Sequence, residues 1–147
     1  MNLPVPAFIE NERRITMSKI NFTKFSNNVV VVNTTPHAIT MQSPEGNIIS
    51  IPSNPELILN AKATEQQVST LLVKTVFIGT EQGNALIESI TAEFNKSFSN
   101  GEILVIVGSV IAAQAYPGKV FGLTPVPGYE RVAPTEKRMR SDKFTVF

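Results

Sequence analysis

Apolar residues in this chain gather in short runs punctuated by Pro, Gly and Asn, and few stretches sustain a helical period. The densest run, Val29 to Val32, is four consecutive valines followed by Asn33-Thr34-Thr35-Pro36-His37. β-branched side chains are stiff at χ1 and suit a strand buried on both faces, while Pro36 denies Thr35 the helical region, so the strand ends at Asn33. Residues 38–42 and 47–51 then form a hairpin across Ser43-Pro44-Glu45-Gly46, whose Pro and Gly suit a turn. This places a polar cluster, with the chain's single histidine, at the rim of a sheet.

Residues 1–28, with Pro4, Pro6 and the charged stretch Glu10 to Arg14, hold neither period and are expected to form an extended arm. Met17 is an alternative start, which would make what precedes it a leader. After the break at Pro52-Ser53-Asn54-Pro55, residues 57–59 are expected to be a short strand. Thr64-Glu65-Gln66-Gln67 has the form of a capping box and predicts a turn or two of helix. Residues 71–78 predict a strand, 79–84 a polar loop, 85–91 a further strand and 95–101 a turn. Residues 102–107, EILVIV, predict a second central strand running into Gly108-Ser109 and a short helix over 110–115, which Pro117-Gly118 ends. Residues 120–126 predict a last strand, and the terminal Phe144-Thr145-Val146-Phe147 should pack against its own sheet or a neighbour's. The expected fold is α+β: a mainly antiparallel or mixed sheet with one or two short helices, as a single domain over residues 29–147.

Composition narrows the chemistry. With 147 residues there is enough chain for one core without a covalent staple, and the absence of cysteine excludes disulfides, thiolate metal sites and cysteine nucleophiles. A formal charge of +1 with 17% charged residues gives no reason to expect binding to duplex nucleic acid. No apolar run reaches the length of a membrane helix and residues 1–10 lack a basic start, so neither a membrane span nor a signal peptide is expected, and a cytoplasmic setting is compatible. No cofactor is implied, and one histidine without HExxH or paired-histidine spacing speaks against a catalytic metal.

Three places can carry ligand chemistry, and each has a structural alternative. Asn33, Thr34, Thr35 and His37 can hydrogen-bond a polar ligand, or simply cap their own turn. Gly108-Ser109 offers amides and a hydroxyl to an anion at a helix start, or is a tight turn with a cap; it lies in no P-loop, Rossmann or GxSxG pattern. In the tail, Arg131, Arg138 and Arg140 alternate with Tyr129, Glu130 and Asp142, which is either a solvated, self-paired charge run or an anion site. Tyr116, Phe121 or Tyr129 would then give a base a face to stack on.

The segment VNTTPHAI resembles the NLTPHAI signature of a family of small phage and prophage proteins. In that family a Gly-containing hairpin and an Ile-Pro-Pro-Ser-Gly-like step follow, here Ile51-Pro52-Ser53-Asn54; IVGSVIAAQAYPG is similar to a later family segment, and the likeness covers most of residues 29–147. Ile58-Leu59 stand where the family usually has an arginine, and Arg131-Val132 and Arg140-Ser141-Asp142 are what this chain offers for its C-terminal Arg-Asp pair. The family includes the first type of Thoeris anti-defence proteins, homo-oligomeric sponges for cyclic ADP-ribose isomers and, in some members, cyclic oligonucleotides. The resemblance implies a non-enzymatic protein of the infected host's cytoplasm that binds such a second messenger intact. Its candidate ligand residues are Asn33, His37, Ser109, Gln114, Tyr116, Phe121, Tyr129, Arg131, Arg138, Arg140 and Asp142. The alternative is a phage assembly protein that docks on neighbouring copies and takes no small molecule.

Overall fold

The computed structural model describes residues 20–147. Among these residues, nine strands lie in two sheets. The larger has seven, in the order β1 (Phe22–Lys24), β2 (Val29–Asn33), β7 (Ile103–Val107), β8 (Val120–Pro125), β9 (Met139–Thr145), β3 (Ile39–Gln42) and β4 (Ile48–Ile51). β2, β7 and β8 run parallel, β9 is antiparallel to β8 and parallel to β3, and hairpin partners β1 and β4 close the two ends. The smaller sheet is the two-stranded ribbon of β5 (Ala61–Gln67) and β6 (Val73–Gly79). The helices are α1 (Glu81–Ser97) and α2 (Val110–Ala115). The mixed-sheet α+β expectation is met.

The large sheet curls until it is nearly closed, so alternate residues of each strand enter different cores. Val32 and Ile106 face the helices and join Ile87, Ile90, Ala112, Ala113 and Tyr116. Val31, Val105 and Val107 face the inside of the curl with Phe25, Ile39, Met41 and Ile51. Val30, Val31 and Val32 are all fully buried, which is why the valine run needs no polar position.

Several local expectations are corrected. The arm reading of residues 1–19 lies outside the described residues, but residues 20–28 already belong to the fold: Ile20 is in the core, and Phe22–Lys24 pair with β2. Residues 57–59 are not a strand, because Pro55–Leu57 form a 3-10 turn that drops Leu57 and Leu59 into the core. The Thr64 capping box is strand: Thr64 donates its hydroxyl to the Val76 carbonyl across the ribbon, 3.1 Å away. Of the loop expected over 79–84 and the strand over 85–91, Gly79 ends β6 and everything from Glu81 on is one long helix, capped by Thr80, whose Oγ1 accepts from Gly83 N at 2.9 Å. Gly83, Ile87, Ile90 and Phe94 form its buried stripe, and Phe94 and Phe98 pack with Phe22 of β1. The tail is also ordered, since Met139–Thr145 make a strand and Phe144 reaches the core inside the curl.

Candidate functional site

Asn33 and Thr34 are buried and fully engaged by the fold. Asn33 Oδ1 accepts from Thr35 N (2.9 Å) and Thr35 Oγ1 (2.6 Å), and its Nδ2 donates to the carbonyls of His37 (2.8 Å) and Ile51 (3.4 Å). Thr34 gives both its amide and its hydroxyl to the Val107 carbonyl, at 2.9 and 2.7 Å. Asn54 completes the cluster by donating to the Asn33 carbonyl at 3.0 Å and accepting from Asn21 N at 2.8 Å. The cluster is a turn that satisfies itself. Asn33 is therefore corrected from ligand residue to structural hub, and the exposed His37 enters it through its carbonyl.

Around α2, Ser109 and Tyr116 are engaged by the fold and Gln114 is not. Ser109 Oγ accepts from Ala112 N at 3.1 Å as an ordinary cap, and Gln114 is exposed on the same short helix. Tyr116 is 3% exposed; its hydroxyl donates to the Asn60 carbonyl (2.8 Å) and accepts from Thr80 N (3.0 Å). A buried ring held in this way offers no face to a base, so Tyr116 is corrected from stacking platform to a pin joining α2, the start of β5 and the cap of α1. Phe121 is half-buried and lines a separate hollow of about 590 Å³ between α1 and β7–β8, with Ile87, Thr91, Leu104 and Lys119.

Four of the candidates, Tyr129, Arg138, Arg140 and Asp142, do come together around the start of β9. Met41 and Gln42 pair with Met139 and Arg140, so alternation sends Met41 and Met139 inward and sets Gln42 and Arg140 side by side on the outer face. Arg138 lies two residues away and donates Nη1–H to Gln42 Oε1 at 3.0 Å. Its guanidinium covers the Tyr129 ring, 4.9 Å from the centroid. Tyr129 is held there by a loop whose ends are joined by the Val126 N to Arg138 O bond (2.9 Å) and which turns at Gly128, φ +95°. Two hollows flank this arrangement. One, about 350 Å³, is lined by Thr40, Ile48, Tyr129, Thr135, Glu136, Lys137 and Arg138; the other, about 260 Å³, by Gln42, Ser43, Pro44, Val126, Pro127, Arg140 and Asp142, so each holds a carboxylate beside its guanidinium. Arg131 is exposed on the loop and lines neither.

Arg140 is already paired. Its Nε and Nη2 each meet a carboxylate oxygen of Asp142 at 3.0 Å, a fork on fork geometry. The guanidinium hydrogen bonds hold the Asp142 carboxyl below its usual range, and the same bonds raise Arg140. A carboxyl lowered by folding contributes stability above its unfolded pKa and loses it as pH falls through the folded one. Both side chains are about one third exposed, at 32% and 31%, so the effect on stability is small while the effect on the site is direct. Carbon NMR of Asp142 should give a titration midpoint below that of an ordinary aspartate, and Arg140→Ala should return it to the ordinary range; an unshifted midpoint in the parent protein would show that the fork does not persist in solution.

Gln42 and Thr40 line the site without having been legible in the sequence, since their signal is strand pairing alone: Gln42 is 96 residues from Arg138 in the chain. Among the described residues no group of three or more His, Asp or Glu side chains is placed to hold a metal ion, and no helix is long and apolar enough to cross a membrane. Comparison with protein-family models, curated proteins and solved structures finds no match for this chain.

Proposed function

We propose that this protein binds and sequesters a cyclic nucleotide immune signal, a cyclic ADP-ribose isomer or a cyclic oligonucleotide, without cleaving it. It would act as a homo-oligomeric anti-defence protein in the cytoplasm of an infected bacterial host. One observation carries the reading: Arg138, just before β9, and Arg140, on it, stand two residues apart and each lines a hollow, with Tyr129 and Gln42 against the first and Asp142 forked to the second. That spacing separates the two stems by about 7 Å, a distance that two phosphoryl groups of one small molecule can bridge. Guanidinium forks suit phosphate, and the half-buried Tyr129 ring, which lines the first hollow, would give a base something to stack on. The ligand class comes from the resemblance of VNTTPHAI and IVGSVIAAQAYPG to the phage family. For roughly 35 non-hydrogen atoms at about −0.3 kcal/mol each, affinity near −10 kcal/mol is attainable, so retention needs no covalent step.

Isothermal calorimetry with cyclic ADP-ribose isomers and cyclic di- and trinucleotides tests this. One of them is expected to bind in the nanomolar range and to be recovered intact by mass spectrometry. Arg138→Ala and Arg140→Ala should each weaken it at least about tenfold. Absence of heat with every one at micromolar protein rejects the reading. The assembly alternative keeps one point in its favour, the exposed apolar surface of the β5–β6 ribbon.

A further inference from the structure

Among the described residues, the β5–β6 ribbon differs from the rest of the fold in having no strand partner beyond its own two strands, and it is packed at its base, where Gly79 lies against the Tyr116 ring. Seven residue pairs make it about 20 Å long, and every residue from 65 to 75 is exposed. Its tip is nonetheless defined: Val68 N donates to Leu72 O at 2.9 Å, closing a three-residue loop, and the Gln67 side chain donates to the Ser69 carbonyl. That ordered tip is apolar, with Val68, Leu71, Leu72 and Val73 exposed by 62, 90, 62 and 50%, and Ile78 nearer the base by 43%. Together they approach the few hundred Å² at which an exposed apolar patch marks an interface. A two-stranded ribbon without further cover is marginal in water, and its open edge is a template for another strand.

We propose that β6 is the pairing edge of a two-fold dimer, in which the ribbons of two copies of this chain join into one four-stranded antiparallel sheet. The occupant follows from register. A two-fold axis through an antiparallel pair keeps each residue on its own face, so only registers centred on a residue are allowed. Centring on Lys74 would oppose two lysines. Centring on Val76 would oppose Val73 to Gly79 and Leu72 to Thr80, wasting the tip. Centring on Thr75 opposes Leu72 to Ile78 of the second copy and Val73 to its Phe77, twice over, with Thr75 against Thr75 and Lys74 against Val76. Leu72 and Val73 of each tip are thus matched to the exposed Ile78 and half-buried Phe77 at the base of the other, and the only charge on β6 meets no like charge. β5, with AKATEQQ, has no comparable apolar match.

This interface lies away from the β9 hollows and does not depend on the nucleotide reading. Sedimentation of the full chain should show a dimer at about 100 μM, and Leu72→Glu should weaken it at least about tenfold with unchanged circular dichroism, since Leu72 is exposed. The chain has no cysteine, so single substitutions report cleanly. Opposed residues in an antiparallel pair have Cα atoms about 4.5–5.5 Å apart, within disulfide reach, so Thr75→Cys should cross-link rapidly and Gln66→Cys, on the outer strand, slowly. A monomer at that concentration, or equal cross-linking at both positions, overturns the proposal. A monomer that floats with phosphatidylserine vesicles also overturns it, and assigns the tip to a lipid surface.

Discussion

Gly83→Ala is expected to destabilise the protein by about 3 kcal/mol, although alanine inside a helix normally gains about 1 kcal/mol over glycine. The sign is decided by Tyr116. A Cβ on Gly83 would collide with the Tyr116 hydroxyl and sit 2.5 Å from its ring carbon Cζ, with Thr80 Oγ1 at 3.2 Å on the other side. The ring cannot yield without giving up its bonds to Asn60 O and Thr80 N, each worth about 1 kcal/mol when paired and more when one partner is left buried and unpaired. Thermal unfolding should show a fall of about 10 °C. In a Tyr116→Ala background, where the obstacle is gone, the same substitution should cost nothing or stabilise slightly. An unchanged midpoint in the otherwise native chain would contradict the packing of α1 on Tyr116.

That contact also explains why α1 was not legible in the sequence. Gly79 and Gly83 look like loop glycines until the buried tyrosine, more than thirty residues on, shows that both are there to admit its ring. The helical stripe Gly83, Ile87, Ile90, Phe94 begins on a glycine, and a window over 85–91 alone holds too little of it to distinguish helix from strand. Thr64-Glu65-Gln66-Gln67 shows the converse: a correct local signature overridden by pairing with β6. What was legible depended on nearest neighbours, as with Pro36 stopping β2 at Asn33, or Ser109 capping α2 after Gly108. β9 was hidden because its apolar positions, Met139 and Phe144, have opposite parity. An irregularity in the β8–β9 register spans Leu123 to Pro125, and the intervening Arg140, Asp142 and Lys143 read as a solvated run. The tail arginines were found by residue type, while Gln42 and Thr40 beside them needed the β3–β9 pairing.

Asn33→Asp, an isosteric change, should cost about 3–5 kcal/mol at neutral pH, more than the ~2 kcal/mol expected for Asn33→Ala. The native amide donates to two carbonyls, His37 O and Ile51 O, from a fully buried position. A carboxylate would turn a second oxygen toward them, with no cation beside it among the hydrogen bonds and ion pairs of this cluster. Burial and those carbonyls would raise the folded pKa of the new acid above its unfolded value, so the native state would bind a proton that the unfolded state releases. Stability of the variant should therefore rise as pH is lowered toward about 4, the reverse of ordinary acid denaturation, whereas Asn33→Ala should show no such recovery. Urea unfolding of both variants at pH 7 and pH 4 measures the difference. If Asn33→Asp were as stable as the parent at pH 7 and bound a nucleotide less well, the asparagine would belong to a ligand site after all, because a hub residue must show its loss in folding first.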